Sequence, residues 1–438
     1  MLWRIGCLAL LTMATSAGAQ EAGDQPLRGV AASRIVTVSD GDFLASTYGD
    51  ANLAPYGRYQ DVLTVLTRRG DRFEPQAISV SNSVSAAPEV LAVAPDGRTF
   101  YVVDRQAPPT PGARTTADLA AGRTLTAVQT GSDGRLSVLA TRQVAPSSEA
   151  LAINADGSWL AIVGNEERRS VITLVPLTDG VPGEPVIIDA GELGLGVEGT
   201  GPRGGMLLTN VQWRADGTVL AINDAGRNRI AFFRFTDGAT PRLVPWGDPV
   251  TTGRDPFVGR FSADGRFYIT SEWGRDFAGR DLNSRIPTTP GTLGVTRLSD
   301  DGRHARVGET RVGNSPEGIA ISPDGRLIAT VNMRSTAFPT DAQRFTREAS
   351  VSLVSFDPES GALSNWGETF FEGVLPEGAS FDATGEYLLV TVFQGHQGQR
   401  DQSGLAVFRV EAKNGRMSLV EQGRHALPHG VHHVVVVP

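Results

Sequence analysis

Cysteine is almost missing from this chain. There is one, Cys7, inside a short apolar run at the N-terminus. A disulfide framework or a cysteine-ligated metal is therefore excluded from the rest of the chain. Lysine is as scarce: Lys413 stands alone, and arginine supplies nearly all positive charge. Net charge is −8 and basic residues are not clustered, so the footprint that nucleic acid requires is absent. Past the N-terminus no segment approaches about 18 apolar residues in a row, which excludes a further membrane-spanning helix. Helical periodicity is also lacking. The best candidate, PTDAQRFTREA at 339–349, is short and lies between strand-like segments.

The N-terminus reads MLWRIGCLALLTMATSAGAQ. Arg4 gives a short positive region, Ile5 to Ser16 an apolar core, and Ala17-Gly18-Ala19 small residues at the −3 and −1 positions. These are the parts of a secretory leader, cut after Ala19. The expected organisation is a leader over 1–19, a lead-in over 20–33 and one folded unit over 34–438, located in the periplasm or outside the cell. Cys7 sits too early in the apolar core to resemble a lipoprotein cysteine, and would leave with the leader.

Repetition dominates the remainder. A small turn ending in Gly, flanked by apolar runs, recurs as VTVSDGDFLAST around Gly41, LAVAPDGRTFYVV around Gly97 and LAINADGSWLAIV around Gly157. It returns as VQWRADGTVLAIN around Gly217, GRFSADGRFYITS around Gly265, IAISPDGRLIATV around Gly325 and ASFDATGEYLLVT around Gly385. The glycine spacings are 56, 60, 60, 48, 60 and 60. A sustained period of this size means a propeller or solenoid. Asp-Gly between alternating apolar runs predicts a β-hairpin, because Gly accepts the positive φ of a tight turn. Two more strand candidates follow each hairpin, for example SVITLVPL (170–177) with EPVIIDAG (184–191), and ASVSLVSFD (349–357) with LSNWGETFF (363–371). Four antiparallel strands per unit make one propeller blade.

The ends predict ring closure. The final segment LPHGVHHVVVVP repeats the start of a blade: Pro428-His429-Gly430 matches Pro316-Glu317-Gly318 and Pro376-Glu377-Gly378. It is a first strand with no second strand after it. Asp42 to Thr47 or Ile35 to Val38 can supply the missing partner. The expected fold is thus an all-β, seven-bladed propeller of four-stranded antiparallel blades, closed by strands from both ends.

The pattern Pro-Glu-Gly, Ile-Ala-Ile, Ser-Pro-Asp-Gly, Ile-Ala-Thr-Val-Asn over 316–332 resembles the repeat of YVTN-type propellers. It is also similar to the seven-bladed lactonase family, which includes bacterial 6-phosphogluconolactonases and fungal carboxymuconate cyclases. The resemblance covers essentially the whole chain after the leader. It implies the fold; no motif here matches that family's catalytic residues, and none are carried over.

Blade geometry sorts the candidate residues. The Asp-Gly turns lie on one face. The approaches to each first strand lie on the other, around the mouth of the central channel, with the long insertions Arg105–Arg123, Gly274–Thr292 and Arg334–Glu348. The approach position holds Glu89, Glu149, Thr209, Phe257, Glu317 and Glu377, with His429 in the terminal copy. The end of the second strand holds Asp104, Asp224, Glu272 and Asn332. Clustered carboxylates favour a bound cation, arginine partners or raised pKa values. Arg105, Arg227, Arg275, Arg280, Arg285 and Arg334 are candidate partners; no cofactor is evident, and a divalent cation remains open. Within the innermost strand the column Ala92, Ala152, Gln212, Arg260, Ala320, Ser380 and His432 is mostly small. Gln212, Arg260 and His432 break that rule, as functional positions do.

Two motifs are discounted. Gly194-Leu-Gly196-Val-Glu-Gly199 matches GxGxxG, but the next residues, Thr-Gly-Pro-Arg-Gly-Gly, cannot open a helix. His432 and His433 alternate across a strand and should point apart, against a shared metal. No Gly-x-Ser-x-Gly nucleophile occurs. Two functions fit. One is a secreted binding module whose loop-rich face engages a small molecule or a periplasmic protein. The other is a hydrolase of a non-phosphorylated lactone by activated water, with Glu317 and His429 handling protons and Arg260 holding an oxyanion.

Overall fold

A computed structural model of the chain describes residues 25–83, 89–196, 207–238, 240–275, 282–396 and 402–438. The expected leader and Arg280 lie outside these residues. Seven sheets form the ring, each with its strands in sequential order except the closing one. The closing blade takes its innermost strand, Val431–Val437, from the C-terminal end. Arg34–Ser39, Val62–Arg69 and Arg72–Ser79 follow outward. Blades two to seven then run in chain order. Their innermost strands are Leu91–Val93, Ser148–Ile153, Leu208–Trp213, Pro256–Phe261, Pro316–Ile321 and Ala379–Phe381. In the third and fourth blades the outer strand is split into two short pieces. Each innermost strand touches its neighbours, so the ring is continuous.

Burial follows position in the blade. A second strand is covered by blades on both sides, and Trp159–Asn165, Phe267–Glu272 and Leu327–Asn332 are buried throughout. An outer strand faces water on one side, so Ala305–Arg311 alternates between exposed and half-buried. Aromatic side chains wedge the blades together. Phe235 meets Trp159 and Trp213 edge-on at 5.3 and 5.1 Å, and Phe371 meets Phe408 at 5.4 Å. Such pairs add about 0.5–1.5 kcal/mol each beyond the area they bury.

The six glycines from Gly97 to Gly385 sit at φ between +62° and +75° in equivalent turns. In five of the six the preceding Asp fixes the turn, and before Gly385 Thr384 takes its place. Asp96 Oδ1, for example, accepts from the N–H of Arg98 at 2.8 Å and of Thr99 at 2.9 Å.

Gly41 is not a seventh copy. It lies after the strand Arg34–Ser39, at the mouth end. The innermost strand of the closing blade arrives from the other end of the chain, so that blade has no first turn to make. Gly41 is small for another reason: an added Cβ would lie 2.5 Å from the Gln60 backbone. The competition for the second strand is won by Ile35–Val38, which pairs with His433–Val436. Asp42–Thr47 instead begins an excursion across the mouth.

Candidate active site

The approach to the channel has a local backbone cause. Ser147, Asp255, Ser315 and Leu375 all have φ between +52° and +63°. Each precedes the approach position of its blade by two residues. A non-glycine residue in this region costs about 1 kcal/mol or more. The kink turns the next residues inward, so the approach side chain enters the mouth. All four approach glutamates are buried: Glu89, Glu149, Glu317 and Glu377 are between 0% and 5% exposed.

Their partners come from other blades. Both oxygens of Glu89 in the second blade accept from Arg260 Nη2 in the fifth, each at 2.8 Å, across the channel. Burial raises the Glu89 carboxyl, but Arg260 and then His433 outweigh it and leave it below the usual range. Arg260 is thereby engaged as a counter-ion and not offered to an oxyanion. Glu149 accepts from Arg105 Nε at 2.9 Å, a residue of the preceding blade, and burial still raises its carboxyl.

Glu317 and Glu377 form an acid pair on adjacent blades. Burial is the main cause pushing Glu317 up to about 8, Arg275 opposing and Asp255 adding to it. Glu377 is raised well above the carboxylate range by burial and then by the Glu317 charge. Both carboxyls therefore favour the protonated form at neutral pH. Glu377 Oε1 accepts from the Tyr48 hydroxyl at 3.0 Å. Oε2 of each glutamate is buried and receives no hydrogen bond from the described residues. Buried acceptors rarely stay unmatched, so these oxygens suit donors carried by a ligand.

Arg275 is the cation whose charge opposes the rise of Glu317. It grips Asp255 with Nε and Nη2 at 2.6 and 2.9 Å. Its guanidinium stacks on Trp273 and Phe257, 4.4 and 4.6 Å from the ring centres. Its charge reaches both Glu149 and Glu317.

Tyr48 arrives on a strap, residues 40–61, that joins the second and third strands of the closing blade. The feet are held by Asp61: Oδ1 accepts from Gly41 N at 2.7 Å and Oδ2 from Asn82 N at 2.9 Å. Asp61 is pushed up to about 7 by burial and by the charge of Asp42. Along its course the strap touches three other blades. Leu53 N donates to Arg114 O at 2.8 Å, Arg285 Nη1 to Tyr48 O at 2.6 Å, and Ala45 N to Gln394 Oε1 at 3.0 Å.

The histidines serve the strap and its seam. His429 Nε2 bonds Phe43 O at 2.9 Å while its ring stacks on Tyr59 at 4.0 Å. Burial lowers its basicity. It anchors the strap. His432 does not line the channel column. A bulge lies between the pairs Ser39–Val431 and Val38–His433, so His433 takes the place that Ser380 holds in its blade. His432 turns aside to Asn82 Oδ1 at 2.9 Å, and burial brings it down to about 3. Asn82 Nδ2 donates to two carbonyls, so its Oδ1 is an acceptor and His432 Nε2 must carry the proton.

The second-strand column stays within blades or at their junctions. Asp104 accepts from Thr124 N at 2.8 Å and Asp224 from Arg229 Nε at 2.9 Å. Glu272 holds Arg306 and accepts from Gly253 N at 2.9 Å, and Asn332 donates to Ser350 and Ser352. Gln212 is half-buried opposite Ala221 on the channel strand. Asp40, Asp42 and Asp61 offer oxygens within 4.8 Å of one another, the spacing a cation would use. Backbone N–H groups and Ser83 already bond Asp40, Asp42 and Asp61, and we assign no ion there.

A family model described as lactonase, 7-bladed beta-propeller, matches residues 63–435. The chain belongs to that family. The lactonase-family match takes in both glutamates of the acid pair and leaves out the strap. No curated protein matches the sequence. Among solved structures, the periplasmic gluconolactonase PpgL of Pseudomonas aeruginosa is 19% identical, with a TM-score of 0.61. That match covers 92% of this chain and 100% of that one. A Bacteroides fragilis protein with a provisional 6-phosphogluconolactonase assignment is 17% identical at a TM-score of 0.60, covering 93% and 98%. A Lactobacillus plantarum protein is 12% identical at 0.59, covering 93% and 100%. At these identities the likeness is one of fold. In this lactonase-family propeller, sequence reasoning missed Tyr48, Asp61 and His433. A Tyr outside every repeat gives no signal, whereas the doubled His432-His433 could have suggested a bulge.

Proposed function

We propose that the protein hydrolyses a non-phosphorylated, polyhydroxylated lactone, with Glu317 and Glu377 as its proton-handling pair. The observation that carries this reading is two buried carboxyls on adjacent blades, each raised by burial and each with one oxygen that receives no hydrogen bond from the described residues. Family membership supports it. In the reaction, water attacks the lactone carbonyl while the ionised carboxylate takes its proton. The ring C–O bond then breaks, and the protonated carboxyl gives its proton to the leaving ring oxygen, yielding a hydroxy acid. Sugar hydroxyls would match the two unpaired acceptors. The secretory leader expected over 1–19 argues against a phosphorylated substrate, which is a cytosolic kind of metabolite.

We place the enzyme in the periplasm, on the leader read from Met1–Ala19. A panel of sugar lactones, with a phosphorylated one as control, tests the activity. Glu317→Gln and Glu377→Gln should each lower kcat about 10²- to 10⁴-fold. Absence of turnover across the panel would favour the binding module. Turnover unchanged in both variants would remove the pair from the mechanism.

A further inference from the structure

The acid pair is sealed. Glu317 and Glu377 are 2% and 1% exposed, and the Oε2 atoms that lack a hydrogen bond are buried. A ligand for those atoms needs an entrance that is shut in this structure. The channel does not supply one, because Arg260 and Glu89 meet across it. At the mouth, the strap reaches the pair directly through the Tyr48 hydroxyl. Ala45 and Leu53 of the strap share one apolar cluster with Phe257, Trp273 and Leu375.

The strap has fixed ends and a separate middle. His429 holds both ends of the arc 44–58: Nε2 bonds Phe43 O at 2.9 Å, and the ring stacks on Tyr59 at 4.0 Å. Asp40 Oδ1 secures the first end further, accepting from Asp42 N at 2.9 Å and Phe43 N at 3.1 Å. Asp61 secures the second. Between these points the arc is braced by its own bonds. Asp50 N donates to Ser46 O and Ala51 N to Thr47 O, both at 2.9 Å, and Leu44 N to Thr47 Oγ1 at 2.9 Å.

The bonds from the arc to the ring are scattered over separate blades. Ala45 N donates to Gln394 Oε1, Arg285 Nη1 to Tyr48 O, Leu53 N to Arg114 O and Thr116 N to Ala51 O. One side of the arc is buried, at Ala45, Thr47, Leu53 and Ala54, and the other is exposed, at 49–52 and 55–58. A segment braced within, anchored at two neighbouring points and tied elsewhere by single bonds opens as a unit, with the blades intact.

We propose that residues 44–58 are a lid, which swings about its two ends on His429 and admits a ligand to Glu317 and Glu377. The form with Tyr48 on Glu377 is the closed one. A bound ligand needs this entrance as much as a substrate does, so the lid goes beyond the hydrolase reading and does not rest on it.

Thiol labelling tests it, because the chain has no cysteine after Cys7. Glu317→Cys places a thiol under the lid and keeps the bond between Tyr48 and Glu377. Ala161→Cys, in the buried second strand of the third blade, reports unfolding of the ring. Alkylation by iodoacetamide is followed peptide by peptide by mass spectrometry, and the ratio of the two rates is the readout. Asn52→Cys with Thr115→Cys, oxidised, locks the lid. Asn52 and Thr115 form a non-hydrogen-bonded antiparallel pair. Such pairs lie about 4.5 Å apart at Cα, within disulfide reach.

With the lid free, the Glu317→Cys thiol should react about tenfold or more faster than the Ala161→Cys thiol, since local opening costs less than unfolding. The lock should bring the two rates together, and reductant should part them again. Using the ratio cancels any gain in overall stability from the crosslink. Hydrogen exchange on the unmutated protein guards against a variant that fails to fold: the amides of Ala45 and Leu53 should open together, ahead of those in Trp159–Asn165. Equal labelling rates with the lid free, a ratio that the lock leaves unchanged, or arc amides as protected as those of the blade would each overturn the proposal. If no lactone is turned over but the lock lowers the ratio, the hydrolase reading fails and the lid stands. Turnover with an unchanged ratio gives the reverse.

Discussion

Removing Arg260 should reveal how much of the ring's stability runs through its channel. Arg260→Ala leaves Glu89 buried, 5% exposed, with its partner gone. Breaking a buried pair costs about 3–5 kcal/mol. The Arg260 side chain is 25% exposed and His433 still acts on Glu89, so the lower end, about 3 kcal/mol, applies. At about 2.1 cal/mol/K per residue over some 400 residues, that is a fall in Tm of about 3–4 °C. Glu89→Gln with Arg260→Ala removes both charges and should recover at least half of the loss. A double-mutant cycle should return a coupling of about 2 kcal/mol. The pH dependence has a definite sign. Glu89 is depressed in the fold, so the pair's contribution is present above the unfolded value, near about 4.3, and is lost as pH falls through the lowered one. The gap between wild type and Arg260→Ala should therefore narrow below about pH 4. Calorimetry of the four variants at about pH 3 and at pH 8 decides the matter. Additivity within about 0.5 kcal/mol, or a gap that does not change with pH, would refute the cross-channel pairing.

Two further perturbations address the strap and the closure. Asp42→Asn should stabilise the protein by about 1 kcal/mol at pH 8 and leave it unchanged near pH 4, because the raised Asp61 carboxyl favours the protonated fold and loses that advantage as pH climbs toward about 7; thermal melts at both values check it. Gly430→Ala should cost about 3 kcal/mol or more in the same assay, since Gly430 has φ +84° and an added Cβ would lie 1.8 Å from Asp40 O.

The blades were readable because every one needs the same turn. Asp96 and its equivalents cap the turn and Gly97 and its equivalents take the left-handed backbone, so residue type and spacing repeat together. Gly41 mimicked the motif for an unrelated reason, a close approach between the two feet of the strap. The approach glutamates were also readable, as one residue type at one repeat position. Their partners were not. Arg260 and Glu89 lie 171 residues apart and meet only because the ring closes. A bulge of one residue moved the channel position from His432 to His433, a change that local alternation cannot signal. Tyr48 sits in a segment that has no counterpart in the repeat.

The seam between Arg34–Ser39 and Val431–Val437 has a mechanical consequence. Arg34 pairs with Val437, so the two ends of this strand pair leave the ring side by side. They leave on the turn face, where a Cβ on Gly97 would touch Val437. Tension applied between these ends loads the ladder bonds one after another, as in opening a zipper, and not all at once in shear. The seam would part at low force, starting on the face away from the mouth. The last bonds to yield would be those at Gly430 and His429, where the strand meets the strap. The active-site cover is thus held by the final rungs of the seam, and a pull that spares those rungs leaves Tyr48 in place.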